Sequence, residues 1–373
     1  MSVVGTWKQL GEYISWESPC TDRKQYLRNN LPQYVNSDPY LVTFKQDIEI
    51  EQMVERLENV DLLYITMSRS CKDELYYFRI NGHLYHGDKV WSQWHSFLPE
   101  LRKVKPTHYV DEPSFFVGSR PNYTHQIVDF LPNLLLRREL EKVIPTSAKN
   151  IIGSENSILK EALRTLAPSN LLRSQLLQLS QYTDPDKSIF VDGWSLNCVR
   201  FSELYLVRHL SIFKAFSLLR NACASIPNKS MESSSPNQDH TRNGAIFLAR
   251  SDNRIQNQSQ LCSEVFEHES VEIAKELSIL SMSEKYQYLS RFKTFIMPPG
   301  SENINAFCFA NSNSRFIQMI PGKFTDLLKS PFHSYAGLRY NLPFLDRTLF
   351  WEPLSIGPGL NSASWSPHEM PPL

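Results

Sequence analysis

Lys293-Thr-Phe-Ile-Met-Pro-Pro-Gly-Ser-Glu-Asn-Ile-Asn-Ala-Phe-Cys-Phe-Ala-Asn-Ser-Asn-Ser-Arg-Phe-Ile-Gln-Met319 reads as strand, turn, helix and strand. Lys293 to Met297 is a short run of bulky residues, suited to a buried strand. Pro298 to Asn303 breaks regular structure. Asn303 to Ala310 starts a helix, with Ser301 or Asn303 as its cap, and Arg315 to Met319 is the next apolar run. In a parallel sheet, ligands gather at the carboxyl ends of the strands, and a helix N-terminus there attracts anions. The same residues also suit an ordinary α/β turn with no ligand.

Upstream, the same rhythm continues. Ala245-Ile-Phe-Leu-Ala249 predicts a strand, and Arg250 and Arg254 follow at its carboxyl end. Two guanidinium groups in that place suit a diphosphate. Gln260 to His268 predicts a short helix, Val271 to Ala274 a strand and Ser283 to Arg291 a helix. Before them, residues 226–243 carry almost no apolar side chain and read as a flexible linker. The expected organisation is an N-terminal domain over 1–225, the linker over 226–243 and a C-terminal domain over 244–328. The Pro- and aromatic-rich tail 329–373 is expected to pack back on the first domain.

In the first domain, Ser114-Phe-Phe-Val-Gly118 predicts a buried strand and Asn122 to Leu140 a helix, with a kink or restart at Pro132. His125 and Asp129 are four residues apart and share a helix face. That pair suits a general base with its orienting carboxylate; it equally suits an i,i+4 surface pair. Asn150 to Gly153 and Ser188 to Val191 predict strands, Ser157 to Leu166 a helix, and Glu203 to Ala224 a long helix. Asp184-Pro-Asp186 imitates a metal-binding Asp-x-Asp but precedes its strand, so it reads as a turn. Residues 1–110 read as short strands and loops. Within them, Asn81-Gly82 between Glu74-Leu-Tyr-Tyr-Phe-Arg-Ile80 and His83-Leu-Tyr-His86 signals a type I′ hairpin. Trp91, Trp94 and His95 read as core.

Composition narrows the classes. Of the 373 residues, 41% are hydrophobic and 21% charged, as in an ordinary globular chain. Lys plus Arg equals Asp plus Glu at 39 each, so no overall field recruits nucleic acid. Six scattered Cys without a CxxC or paired His argue against a zinc site or disulfide framework. No basic start with an apolar core marks a signal peptide, and no apolar run approaches a membrane span. These features predict a cytoplasmic protein, with room for peripheral association at the inner face of a membrane.

Three pieces, in order, resemble the family 61 glycosyltransferases. Asn122-Tyr-Thr-His125-Gln-Ile-Val-Asp129-Phe-Leu-Pro132 is similar to the family's N-[FY]-x-H-[WF]-x-x-D-x-L-P. Ile246-Phe-Leu-Ala-Arg250-Ser-Asp-Asn-Arg254 is similar to its strand ending in Ser-Arg, followed by Asp and further arginines. Phe295-Ile-Met-Pro-Pro-Gly300-Ser301-Glu302-Asn-Ile-Asn305-Ala-Phe307 is similar to V-G-x-H-G-A-G-x-x-N-x-[LF]. The departures are Gln126 for an aromatic, Pro299 for the loop His, Glu302 for a Gly and Gln318 for the Glu that closes the last strand. The resemblance covers about 120–320.

The resemblance implies an α/β fold of two Rossmann-like domains facing across a cleft (the GT-B arrangement) and an inverting transfer without an obligatory metal or other cofactor. The implied partners are a nucleotide-sugar donor and a glycan or glycolipid acceptor, in cell-envelope or capsular polysaccharide synthesis. Arg250 and Arg254 would neutralise the leaving phosphates, Gly300 and Ser301 would offer backbone N–H groups, and Asn305 and Gln318 would hold the loop or the ribose. His125 would be the base, oriented by Asp129; the alternative makes Asp129 the base. Pro299 and Glu302 favour a rival of another class, a degenerate member that binds glycan or a partner without catalysis. A dinucleotide-dependent enzyme lacks its G-x-G-x-x-G after a strand.

Overall fold

In a computed structural model of the chain, residues 6–10, 13–17, 54–67, 74–86, 97–137, 139–165, 176–184, 186–207, 212–226, 244–249, 255–274, 277–298, 303–311, 313–320, 348–351, 354–356, 363–364 and 366–370 are described. They fall into two compact units divided between Ala222 and Cys223. Both combine strands and helices, so the α/β expectation holds at that level.

The first unit carries an eleven-stranded sheet. Its strands are β1 (Thr6–Leu10), β2 (Tyr13–Glu17), β3 (Val54–Met67), β4 (Glu74–Ile80), β5 (His83–His86), β6 (His108–Val110), β7 (Ser114–Phe116), β8 (Lys149–Ile152), β9 (Leu176–Gln178), β10 (Ile189–Val191) and β11 (Trp194–Val207). The order is β1-β2-β5-β4-β3-β11-β7-β8-β9, with β6 and β10 also on β11. One half, β5-β4-β3-β11, is antiparallel, and the other, β11-β7-β8-β9, is parallel. This unit therefore departs from a plain Rossmann-like sheet.

The β4–β5 hairpin turns on Asn81 and Gly82, with φ of 50° and 82°. Two positive φ values are what a type I′ turn needs, and Asn-Gly supplies them at low cost. Asp61 of β3 ties the strands together: Arg79 of β4 donates to it at 2.7 and 2.9 Å, and Arg200 of β11 at 2.6 and 3.1 Å. Burial beside Asp61 pushes the Cys198 thiol up to about 12.

The predicted helix from Glu203 to Ala224 is corrected here. Glu203 to Val207 ends the long strand β11, and the helix comprises only Ile212–Ala224. Cross-strand partners account for it: Arg56 of β3 bonds Glu203 at 2.5 Å, and Leu204, Tyr205 and Leu206 pair with Ser114, Phe115 and Phe116. Non-local pairing overrode the local helical pattern.

After β7 the chain forms α1 (Tyr123–His125), a π-helical turn over Gln126–Phe130, and α2 (Leu131–Leu136). Pro132 stands in the first turn of α2, where a missing N–H costs nothing, so the expected restart is present. The helix α3 (Ser157–Thr165) links β8 to β9, and α4 (Ile212–Ala224) crosses the division between the units. Asp184 forms the turn expected of it: its carboxylate accepts from the Asp186 N–H at 3.1 Å.

The second unit holds a five-stranded sheet that is parallel throughout: β12 (Ala245–Leu248), β13 (Glu272–Ala274), β14 (Thr294–Met297), β15 (Arg315–Met319) and β16 (Thr348–Trp351), in the order β13-β12-β14-β15-β16. The helices α5 (Gln258–Leu261, running into a π-helical turn at Cys262–Phe266), α6 (Met282–Leu289) and α7 (Asn303–Phe309) connect the first four. A small ladder, β17 (Ser355–Ile356) with β18 (Ala363–Ser364), follows. Thr348–Trp351 lies in the tail expected on the first domain; it is instead the edge strand of this sheet. The proposed linker from 227 to 243 lies outside the described residues, as do Trp91, Trp94 and His95.

Candidate functional site

The strand order of the second unit is the doubly wound 2-1-3-4-5, whose topological switch point lies between β12 and β14. Ligands of such sheets sit outside the carboxyl ends of the strands at that point. The segments leaving those ends are the ones that contain Arg250 and Arg254 after β12, and Gly300 and Ser301 after β14. All four residues lie outside the described residues, as do Pro299 and Glu302. Asn305 is buried in α7.

Gln318 is buried at the end of β15, and its amide is committed to the protein. Nε2 donates to the carbonyls of Met297 and Met319 at 3.2 and 3.0 Å, and Oε1 accepts from Asn303 Nδ2 at 3.1 Å. It thereby fastens the start of α7 to the ends of β14 and β15. Asn303 is the first residue of α7 and sends its side chain to Gln318, so it is not the cap the sequence suggested.

In the first unit, β7 runs into Gly118, whose φ is +76°. A Cβ there would overlap the ring of Phe130, so glycine lets the helical segment close over the strand end. Asn122 caps that segment: its side chain accepts from the His125 N–H at 3.3 Å. The π-helical turn follows at once. His125 Nδ1 and Asp129 Oδ2 are 2.8 Å apart, and their side chains are 13% and 5% exposed. This is a sheltered ion pair or hydrogen bond, not the solvated surface pair that the spacing alone allowed. In the neutral imidazole, a carboxylate at Nδ1 favours the tautomer with the proton on that nitrogen, leaving the lone pair on Nε2. The arrangement can accept a proton.

Gln126 is wholly buried and sets the position of this segment. Its Oε1 accepts from the Arg120 N–H and from Asn156 Nδ2, both at 2.8 Å. Asn156 Nδ2 also reaches the Arg120 carbonyl at 3.2 Å, while its Oδ1 accepts from the Leu159 N–H at 2.8 Å in the first turn of α3. One amide thus joins the loops after β7 and β8 to the start of the dyad helix.

Behind those loops lies a carboxylate that sequence reasoning missed. Glu74 is 1% exposed. Tyr64 Oη donates to its Oε1 at 3.1 Å, and Ser154 Oγ donates to the same oxygen. Tyr76 Oη and Ser119 Oγ donate to Oε2 at 2.8 and 2.9 Å. The N–H groups of Gly153 and Ser154 donate to Ser119 Oγ at 3.1 Å each. Gly153 is required there, because a Cβ would overlap both the Tyr76 hydroxyl and Glu74. Burial, reinforced by the Glu74 charge, raises the Tyr76 phenol well above its ordinary value, so Tyr76 stays a donor. The network binds the two strand-end loops together. In sequence Glu74 only opens an apolar run, and no spacing betrays its partners.

Among the described residues, no group of three His, Cys, Asp or Glu is placed to hold a metal ion, and no helix is long and apolar enough to cross a membrane. No family model matches the chain, and no curated protein matches it.

Proposed function

We propose that the protein is an inverting, metal-independent glycosyltransferase that moves a sugar from a nucleotide-sugar donor to a glycan or glycolipid acceptor in cell-envelope polysaccharide synthesis. The observation that carries this reading is the sheltered His125–Asp129 pair at 2.8 Å beside the carboxyl end of β7. An acceptor hydroxyl must lose a proton as it attacks the anomeric carbon, and Nε2 of His125 is the group for that task. Such a base contributes roughly 10²–10⁴ in rate. Asp129 holds the imidazole and stabilises the imidazolium that forms.

The finer arrangement that belongs to this reading is two domains facing across a cleft, only the second of them Rossmann-like, with the donor diphosphate at its switch point. Arg250 and Arg254 would take its charge, and the backbone at Gly300 and Ser301 would approach it. The setting is the cytoplasm or the inner face of a membrane. The rival reading, a member that binds glycan or a partner without catalysis, draws on Glu302, a carboxylate next to the proposed phosphate loop.

One pair of variants separates these readings. Arg250→Ala should weaken nucleotide binding by about 1.5–3 kcal/mol, the range for a charge-assisted contact. His125→Ala should leave nucleotide affinity unchanged and abolish most turnover. Calorimetry with UDP-, GDP-, CMP- and dTDP-sugars measures the first, and turnover with a competent acceptor the second. Nucleotide binding without turnover in the unmodified protein would favour the rival. Turnover unaffected by His125→Ala would remove His125 as the base.

A further inference from the structure

At the amino ends of β7 and β8, away from His125, a positive charge is buried with no carboxylate in contact among the described residues. Arg137 follows the last turn of α2 and is 3% exposed. Its Nη2 donates to the Pro145 carbonyl at 2.6 Å, and its guanidinium lies 6.0 Å from the centre of the Phe115 ring. Nε and Nη1 have no hydrogen-bond partner among the described residues. Asn150, the second residue of β8, is wholly buried, and neither its Oδ1 nor its Nδ2 has a partner among them.

Two links place these side chains at the same end of the sheet, on one face. Phe115 and Asn150 are register partners across β7 and β8, so their side chains leave the sheet on the same face. The Pro145 carbonyl that holds Arg137 also accepts from the Ala148 N–H at 3.0 Å, closing the turn that feeds β8. The guanidinium is thus fixed against Phe115 where the chain enters the strand of Asn150.

Buried polar groups are nearly always satisfied, and a desolvated charge needs an opposite one. Burial lowers the pKa of Arg137, and the exposed Glu141 opposes that without contact. The idle groups are three donors, Nε, Nη1 and Nδ2, and one acceptor, Oδ1. We propose that Arg137 and Asn150 bind a small hydroxyl-bearing oxyanion, of the class of hydrogen phosphate or bicarbonate, at the amino ends of β7 and β8. Its oxygens accept from the three donors, and its hydroxyl donates to Asn150 Oδ1. A halide or sulfate leaves Oδ1 idle, and water leaves the guanidinium charge uncompensated. The site stands apart from the proposed transferase chemistry and does not depend on it.

The test is thermal unfolding of the full chain at constant ionic strength, in phosphate, bicarbonate, sulfate or chloride. An ion that binds only the folded state raises the midpoint with the logarithm of its concentration. The unmodified protein should show this slope with phosphate or bicarbonate, and a smaller one with sulfate and chloride. Asn150→Asp supplies a carboxylate in place of the ion, so it should raise the midpoint in ion-free buffer and flatten the slope. Arg137→Met should also flatten it. Reading the difference between the unmodified protein and Asn150→Asp cancels ions bound elsewhere. Equal slopes in those two proteins would overturn the proposal and leave water as the occupant. Equal responses to sulfate and phosphate would overturn the hydroxyl requirement. If Arg137→Met fails to fold, Asn150→Asp decides alone.

Discussion

Thr294–Met297, in the middle of the second unit's sheet, is buried at every position, whereas Val54–Met67 in the first alternates buried residues with exposed charges before its apolar stretch. In β14 the side chains of Phe295, Ile296 and Met297 need only apolar neighbours, and Phe295 stacks on Phe316 with ring centres 5.7 Å apart. In β3 the buried Asp61 needs two arginines from two other strands, and Glu203 of β11 needs Arg56. One sheet is held mainly by area removed from water, which is roughly additive. The other depends on polar groups that are tolerable only together. The difference teaches where each unit is fragile.

Breaking the larger dependence should give the largest effect. Asp61→Ala leaves Arg79, whose side chain is 14% exposed, without its carboxylate. The expected loss is about 3–5 kcal/mol, the range for removing one partner of a buried pair. Native-state hydrogen exchange, read strand by strand, should show it throughout β3, β4 and β11 and leave β12 to β15 untouched. A loss below about 1 kcal/mol would mean that the first sheet, like the second, rests on apolar burial.

A smaller effect is expected on the other side of the comparison. Ile296→Val removes one buried methylene from β14, where no polar group depends on it. The cost should be about 0.5–1.5 kcal/mol, a transfer and cavity effect alone. Combined with Ile317→Val on the neighbouring strand, it should add with little coupling, apart from what a shared cavity contributes. A strongly non-additive double variant would show that the second sheet, too, is held by interlocking contacts.

The same contrast explains what could be read from the sequence. The strands β12, β14 and β15 were legible because each is a short apolar run between breakers, and a buried parallel strand needs nothing more. The Asn81-Gly82 hairpin was legible because the turn chemistry is local. Glu203–Val207 was not, since its apolar spacing fits a helix as well, and its decisive partners lie at Arg56 and Ser114–Phe116. In the candidate site, the i,i+4 spacing of His125 and Asp129 was visible, but its shelter was not. Gln126 drew notice only as a departure from a motif. Its work as a brace depends on Asn156, thirty residues further on. Glu74 was invisible for the same reason, because Ser119 and Ser154 reach it from distant loops.

The smallest expected effect tests whether local stabilisation in the second unit is independent of its sheet. Ser281 caps α6: its side chain accepts from the Glu284 N–H at 3.2 Å, and Glu284 accepts from the Ser281 N–H at 2.8 Å. These bonds hold the Glu284 carboxyl below its ordinary value of 4.5. The folded pKa is therefore the lower one, so the ionised cap stabilises the protein above the ordinary carboxylate range. That contribution fades as pH falls through the depressed folded value, where the folded state also takes up the proton. Ser281→Ala should cost about 1 kcal/mol at neutral pH, as other N-cap losses do. Glu284→Gln keeps an acceptor but no charge, so its deficit should be smaller, present at pH 7 and absent at strongly acidic pH. Urea unfolding at a series of pH values measures both. Glu284 is exposed, so added salt should shrink its share, whereas Ile296→Val should be indifferent to salt and pH. A Glu284→Gln deficit that grows in acid would reverse the sign of the linkage and show that the carboxyl is favoured in its protonated form. A deficit that changes when Ile296→Val is added would show that the cap and the sheet are coupled.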